Sequence, residues 1–118
     1  MIKLSHTLEN GILHINGSLT QLKDAEISKV IQPEFGLAVE VNKLIRGSKG
    51  TPPRNVFLLD DAGKIIWQIE EFKFGDRPEY FSNIWLNDKG QLMAFVPNGF
   101  QFVIDMKTGK LTEEEFVR

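Results

Sequence analysis

Leu59-Asp60-Asp61-Ala62-Gly63-Lys64-Ile65 recurs as Leu86-Asn87-Asp88-Lys89-Gly90-Gln91-Leu92 and, one residue longer, as Ile104-Asp105-Met106-Lys107-Thr108-Gly109-Lys110-Leu111. Each copy holds the parts of a reverse turn between two strands. Apolar residues end the first strand, an Asp or Asn bonds its own backbone at the corner, Gly takes the positive φ, and apolar residues open the next strand. A chain that reuses this unit is an antiparallel meander, so the fold class expected is all-β.

Working outward, Asn10-Gly11 is the strongest two-residue hairpin signal in the chain, and Ile12 to Ile15 reads as a strand stopping at Asn16-Gly17. Residues 19–31 fit helical spacing or alternation, and their β-branched content favours a strand. Leu37, Val39 and Val41 alternate with Ala38, Glu40 and Asn42 as a half-buried strand. Residues 46–53, with two Gly and two Pro, read as a loop, and residues 72–80 as a second irregular loop carrying aromatics. Between them, Ile65-Ile66-Trp67-Gln68-Ile69 has the look of a central strand covered on both faces. Trp67 and Trp85 are expected in the core. From Phe81 onward corners return about every ten residues, as in a sandwich, barrel or propeller blade. The tail Thr112-Glu113-Glu114-Glu115 fits either a capping box opening a helical turn or a last edge strand. The sum is a single β domain over residues 1–118 with seven to nine strands.

The chain of 118 residues is long enough to bury about two-thirds of its unfolded surface without staples. Its 42% hydrophobic and 25% charged residues are ordinary for a globular protein. No stretch nears the ~20 apolar residues of a membrane helix, and residues 1–16 lack the apolar run of a secretory signal. The absence of cysteine excludes disulfides, thiolate catalysis and Cys-based zinc sites, and a cytoplasmic location is expected. Lys43, Arg46, Lys49 and Arg54 lie between Asn42 and Asn55 with no acid among them, which leaves the rest of a chain of net charge −2 at −6. An acidic body with one basic loop suits a basic protein partner better than nucleic acid or a membrane.

Val56-Phe57-Leu58-Leu59-Asp60 through Gly63-Lys64-Ile65-Ile66-Trp67, with Gly90-Gln91-Leu92 and Phe102-Val103-Ile104-Asp105 through Thr108-Gly109-Lys110-Leu111, resembles the blade repeat of quinoprotein-type β-propellers over about residues 54–112. That family repeats an apolar strand ending in Asp, a Thr-Gly-Lys corner and a strand bearing Trp. The resemblance implies twisted blade-like sheets. A blade takes ~40–45 residues and a closed ring at least about four blades, so the expectation is an open, partial propeller with no central channel and no quinone. In its size, acidity and lack of a catalytic set the chain is also similar to small bacterial immunity proteins of contact-dependent inhibition systems.

Candidate chemistry is sparse. His6 and His14, with Glu9 the nearby carboxylate, lack the further ligands of a metal site, and Asp60-Asp61 and Asn87-Asp88 read as turn formers rather than calcium loops. There is no Gly-x-Ser-x-Gly elbow, and Arg46 to Thr51 lacks phosphate-loop spacing. Glu70, Glu71, Asp76 and Glu79 cluster as a glycosidase pair would require, the basis of a carbohydrate-binding or hydrolytic alternative. Phe72, Phe74, Tyr80 and Phe81 interleave with Glu70, Glu71, Asp76, Arg77 and Glu79, the mixture of a protein-binding surface in which aromatics anchor and charges select. The expected binding residues are therefore Glu70, Glu71, Phe72, Phe74, Asp76, Arg77, Glu79 and Tyr80, with no catalytic residue, metal or cofactor. The function expected is a non-enzymatic module, an immunity-type inhibitor covering a basic toxin such as a nuclease, monomeric or homodimeric. Self-association through open sheet edges is the structural alternative.

Overall fold

The computed structural model describes residues 5–44 and 50–117, so Arg46 and Lys49 of the basic loop lie outside the described residues. Thirteen strands form four antiparallel sheets among the described residues, with no helix. The first sheet holds β1 (His6–Glu9), β2 (Ile12–Ile15) and β3 (Ser18–Leu19). The second is the meander β4 (Ala25–Ile31), β5 (Leu37–Leu44), β6 (Val56–Leu59) and β7 (Ile65–Gln68). A two-stranded ribbon of β8 (Phe72–Phe74) and β9 (Arg77–Glu79) follows. The last sheet is a second four-stranded meander, β10 (Asn83–Leu86), β11 (Leu92–Phe95), β12 (Phe100–Ile104) and β13 (Leu111–Phe116).

The repeated unit builds its corners as its residues dictate. At the β6–β7 corner, Asp60 Oδ1 accepts from the N–H groups of Ala62 and Lys64, both at 2.9 Å. At the β10–β11 corner, Asn87 Oδ1 accepts from Lys89 and Gln91 at the same distance. At the β12–β13 corner, Asp105 Oδ1 accepts from Lys107 N–H at 2.8 Å. The glycine of each corner stands at a φ of 77° to 79°. Asn10-Gly11 and Asn16-Gly17 are both left-handed pairs, which closes two successive hairpins at the N-terminus.

Three sheets share two cores, and the β4–β7 sheet is covered on both sides. Leu13 and Ile15 of the first sheet pack with Ile27, Leu37, Val39, Val41 and Leu59 of the second. The opposite face of the second sheet, through Ala38, Val56, Leu58 and Trp67, meets Phe81, Ile84, Leu92, Ala94, Phe102 and Ile104 of the last. Trp67 is the main cross-sheet tie: its Nε1 donates to Met106 O at 2.8 Å, and its ring lies against the Gly109 backbone. Beside it Glu70 N–H donates to Gly109 O at 2.9 Å, and Leu111 N–H donates to Glu70 Oε1 at 2.9 Å. Buried Asn55 ties the same two sheets farther along the seam. Its Nδ2 donates to Val41 O and Phe81 O, and its Oδ1 accepts from Phe81 N–H at 2.7 Å.

Four expectations need correction. Thirteen strands replace seven to nine, because Asn16-Gly17 turns the chain into a short β3 and residues 72–79 pair instead of forming an irregular loop. That ribbon is held by Phe72, whose ring centroid lies 4.8 Å from that of Phe102 and 5.5 Å from that of Phe100; Pro78 is tolerated because a two-stranded ribbon has only edges. β7 is not covered on both faces: it ends its sheet, and a bulge opposite Leu58 and Leu59 turns Ile65 and Ile66 to solvent. Trp85 is half-buried rather than core, because it stands on the outward face of the last sheet, in the row Trp85, Met93, Val103. Residues 112–116, left between helical turn and strand, belong to the edge strand β13, and 25–31 of the ambiguous early segment is strand β4.

Candidate functional site

Alternation along the ribbon and its neighbours decides which of the expected binding residues reach solvent. Phe72 is half-buried against Phe100 and Phe102. Glu70 accepts from Leu111 N–H, and Glu79 Oε1 accepts from Asn98 Nδ2 at 3.2 Å, so these two carboxylates fasten the ribbon to the last sheet. Glu71 forms an exposed ion pair with Lys73 at 3.7 Å, a contact worth little in water. Phe74, Asp76, Arg77 and Tyr80 are exposed. The predicted cluster therefore divides into a fastening group and a presented group.

Two further phenylalanines join the presented group. Phe74 lies 6.0 Å, ring centroid to centroid, from Phe100, and Phe100 lies 5.1 Å from Phe116. Phe74 is 54% exposed and Phe116 57% exposed, an aromatic row at the surface of a ribbon and an edge strand. Phe116 pairs with Phe100 and Glu114 with Phe102, so Glu114 projects on the same side as the row, while Glu113 and Glu115 project on the other. Gln101 Nε2 donates to Glu115 Oε1 at 2.7 Å. Each face of the β13 edge is thus acidic, and one is aromatic as well. Sequence reading missed Phe100 and Phe116 because both pass for ordinary strand residues; the signal available was a phenylalanine directly following three glutamates.

A second feature lies at the seam between the two four-stranded sheets. Ser28, Glu40, Asn42, Thr51, Asn55, Tyr80, Phe81 and Ser82 line a pocket of about 240 Å³. Glu40 is only 7% exposed, and of its two carboxylate oxygens Oε2 accepts from Ser28 Oγ at 2.8 Å while Oε1 has no hydrogen-bond partner among the described residues. Ser28 reaches it because β4 bulges between Ile27 and Lys29. Burial pushes the Glu40 carboxyl above its ordinary value, against smaller opposing effects of the Ser28 hydroxyl and the Lys29 charge. Lys29 pairs with Glu40 across the strands, yet its ammonium donates to Asn83 Oδ1 at 2.9 Å.

His14 pairs with Thr7, which sets His6 and His14 on opposite faces of the hairpin, and no group of three metal-ligating side chains occurs among the described residues. Arg54 of the basic segment is fastened, its Nε donating to Ile69 O at 2.9 Å. No helix among the described residues is long and apolar enough to cross a membrane. No curated protein and no solved structure matches the chain. A family model described as a domain of unknown function, DUF7957, matches residues 1–116, and the chain belongs to that family.

Proposed function

We propose that this chain is a protein-recognition module for a basic protein, most specifically an immunity-type inhibitor that covers a cationic toxin such as a nuclease in the cytoplasm. The observation that carries the reading is the row Phe74, Phe100, Phe116 standing at the surface of an acidic edge strand, with Glu114 on the face of the row and Glu113 and Glu115 on the other. Exposed aromatic anchors beside selecting charges are what a complementary partner desolvates and reads. The charge of −6 outside the 43–54 segment adds long-range attraction for a cation. The hydrolytic alternative is weakened by the use of Glu70 and Glu79 as fasteners.

The finer architectural reading, that the two four-stranded meanders are blades of an open propeller, is supported by their identical strand order and by the Trp67 tie between them. It also bears on self-association. Ile65, Ile66 and Trp67 at the bulge of β7 correspond to Leu111, Thr112 and Glu113 at the bulge of β13. Where one sheet presents Trp67 to its neighbour, the last presents a glutamate. Stacked repeats end on a polar face of this kind, which favours a monomer that meets a different, basic partner over a growing stack.

Affinity capture from the native host tests the reading, comparing the natural chain with the Glu113→Lys, Glu114→Lys, Glu115→Lys triple variant. A cationic protein retained by the first and released by the second is the expected result. Retention of no cationic protein, or equal retention by both, would rule the reading out.

A further inference from the structure

We infer that the seam pocket around Glu40 receives one organic cation, the ammonium or guanidinium head of a basic side chain or small amine, on the carboxylate oxygen that has no partner among the described residues. This deepens the reading of a basic protein partner and names where one of its lysines or arginines would insert. At about 240 Å³ the pocket falls below the roughly 300 Å³ at which small-molecule sites begin and holds several times the ~30 Å³ of one water. That is the size of a side-chain head with part of its stem. Its lining combines the polar residues Ser28, Asn42, Thr51, Asn55 and Ser82 with the aromatic Tyr80, the surroundings in which a cation keeps hydrogen bonds and gains a ring contact.

The chemistry follows from what Glu40 lacks. A carboxylate taken out of water is costly unless a cation or donors satisfy it. Ser28 satisfies Oε2 alone, Oε1 is closed off from bulk water, and no cationic side chain among the described residues lines the pocket. Lys29, the nearest cation by pairing, is engaged with Asn83. Glu40 lines the pocket, and the terminal carboxylate bond is the softest in the side chain, so the group can turn toward an entering donor. Tyr80 joins the pocket to the exposed ribbon, so a partner seated there has the opening within reach.

Nuclear magnetic resonance titration of the isotopically labelled full chain tests this. The ligands are n-butylammonium, propylguanidinium, the blocked amino acids N-acetyl-lysine amide and N-acetyl-arginine amide, and neutral N-butylacetamide. Saturable shifts of the Ser28, Glu40 to Asn42 and Tyr80 to Ser82 amides with the cations, and none with the neutral amide, are expected. Glu40→Gln should weaken binding about tenfold or more, the loss of one charge-assisted hydrogen bond, while Ser28→Ala, which keeps the carboxylate, should still bind. Stronger binding of the blocked amino acids than of the free alkyl cations assigns the site to a partner's side chain, and the reverse order to a free amine. Absence of saturable shifts with every cation, equal shifts with the neutral amide, or full binding by Glu40→Gln would overturn the inference. The titration needs no partner, so a failed capture and a failed pocket are separate results.

Discussion

Gly109→Ala tests the cross-sheet tie at the point where it is tightest. A methyl built on Gly109 meets Trp67 Cε3 at 2.7 Å and Cδ2 at 2.8 Å, far inside the ~3.5–4.0 Å of a relaxed carbon contact. The indole has no room to yield, because it is buried and its Nε1 is bonded to Met106 O. Gly109 also has a φ of 78°, and the left-handed region costs an L-residue about 1–2 kcal/mol. Overpacking adds about 1–3 kcal/mol, so the substitution should destabilise the chain by about 2–5 kcal/mol. Gly90→Ala is the control: the corresponding glycine of a corner one residue shorter, with a φ of 77° and nothing within 4 Å of the added methyl. It should lose only the conformational part, about 1–2 kcal/mol. Urea titration followed by far-ultraviolet circular dichroism reads both, with equal slopes licensing the comparison. Equal midpoints for the two variants, or a greater loss for Gly90→Ala, would refute the claim that Trp67 seated on Gly109 locks the sheets.

Three further outcomes are expected. Asn55→Ala strands Val41 O, Phe81 O and Phe81 N–H in the interior and should lower stability by about 2–4 kcal/mol, whereas Asn98→Ala, which removes only the link to Glu79, should lose about 1 kcal/mol or less in the same titration. Glu40 has its folded-state value raised above 4.5, with Ser28 and Lys29 opposing the rise. The folded chain therefore holds this proton more tightly than the unfolded chain, a contribution present below about pH 4.5 and lost as pH rises through the folded value. Urea midpoints measured from about pH 3.5 to about pH 8 should thus improve for Glu40→Gln relative to the natural chain as pH rises, and a pH-independent difference would contradict this. Glu113→Trp, which places on β13 the residue that Trp67 places on β7, should drive concentration-dependent association in sedimentation, where the natural chain remains monomeric.

How far the residues alone disclosed this molecule depends on how local the signal was. The corners at Asp60, Asn87 and Asp105 were legible because an Asx side chain and a glycine settle a turn within five residues. β3, β8 and β9 were not, since each is only two or three residues long and is held by a partner strand or by Phe72 against a distant sheet. The exposure of Ile65 and Ile66 depends on a bulge and on the end of a sheet, neither of which apolar periodicity records. Glu40 is the instructive miss. Alternation with Leu37, Val39 and Val41 assigns it to solvent, but β5 is covered on both faces, so its second face, with Ala38 and Glu40, meets the other core. The presented group was half visible: Phe74 and Tyr80 stood out among the charges of their segment, while Phe100 and Phe116 became neighbours only through strand pairing.

The measurement that bears most directly on the proposed recognition surface is the affinity for a captured cationic partner of the natural chain against the Phe74→Ser, Phe116→Ser variant, with Gly109→Ala as a control for altered stability. Loss of two exposed anchors should weaken binding by roughly thirtyfold or more, the effect of removing a hot spot, with the fold unchanged by circular dichroism. Unchanged affinity in that variant would contradict the account.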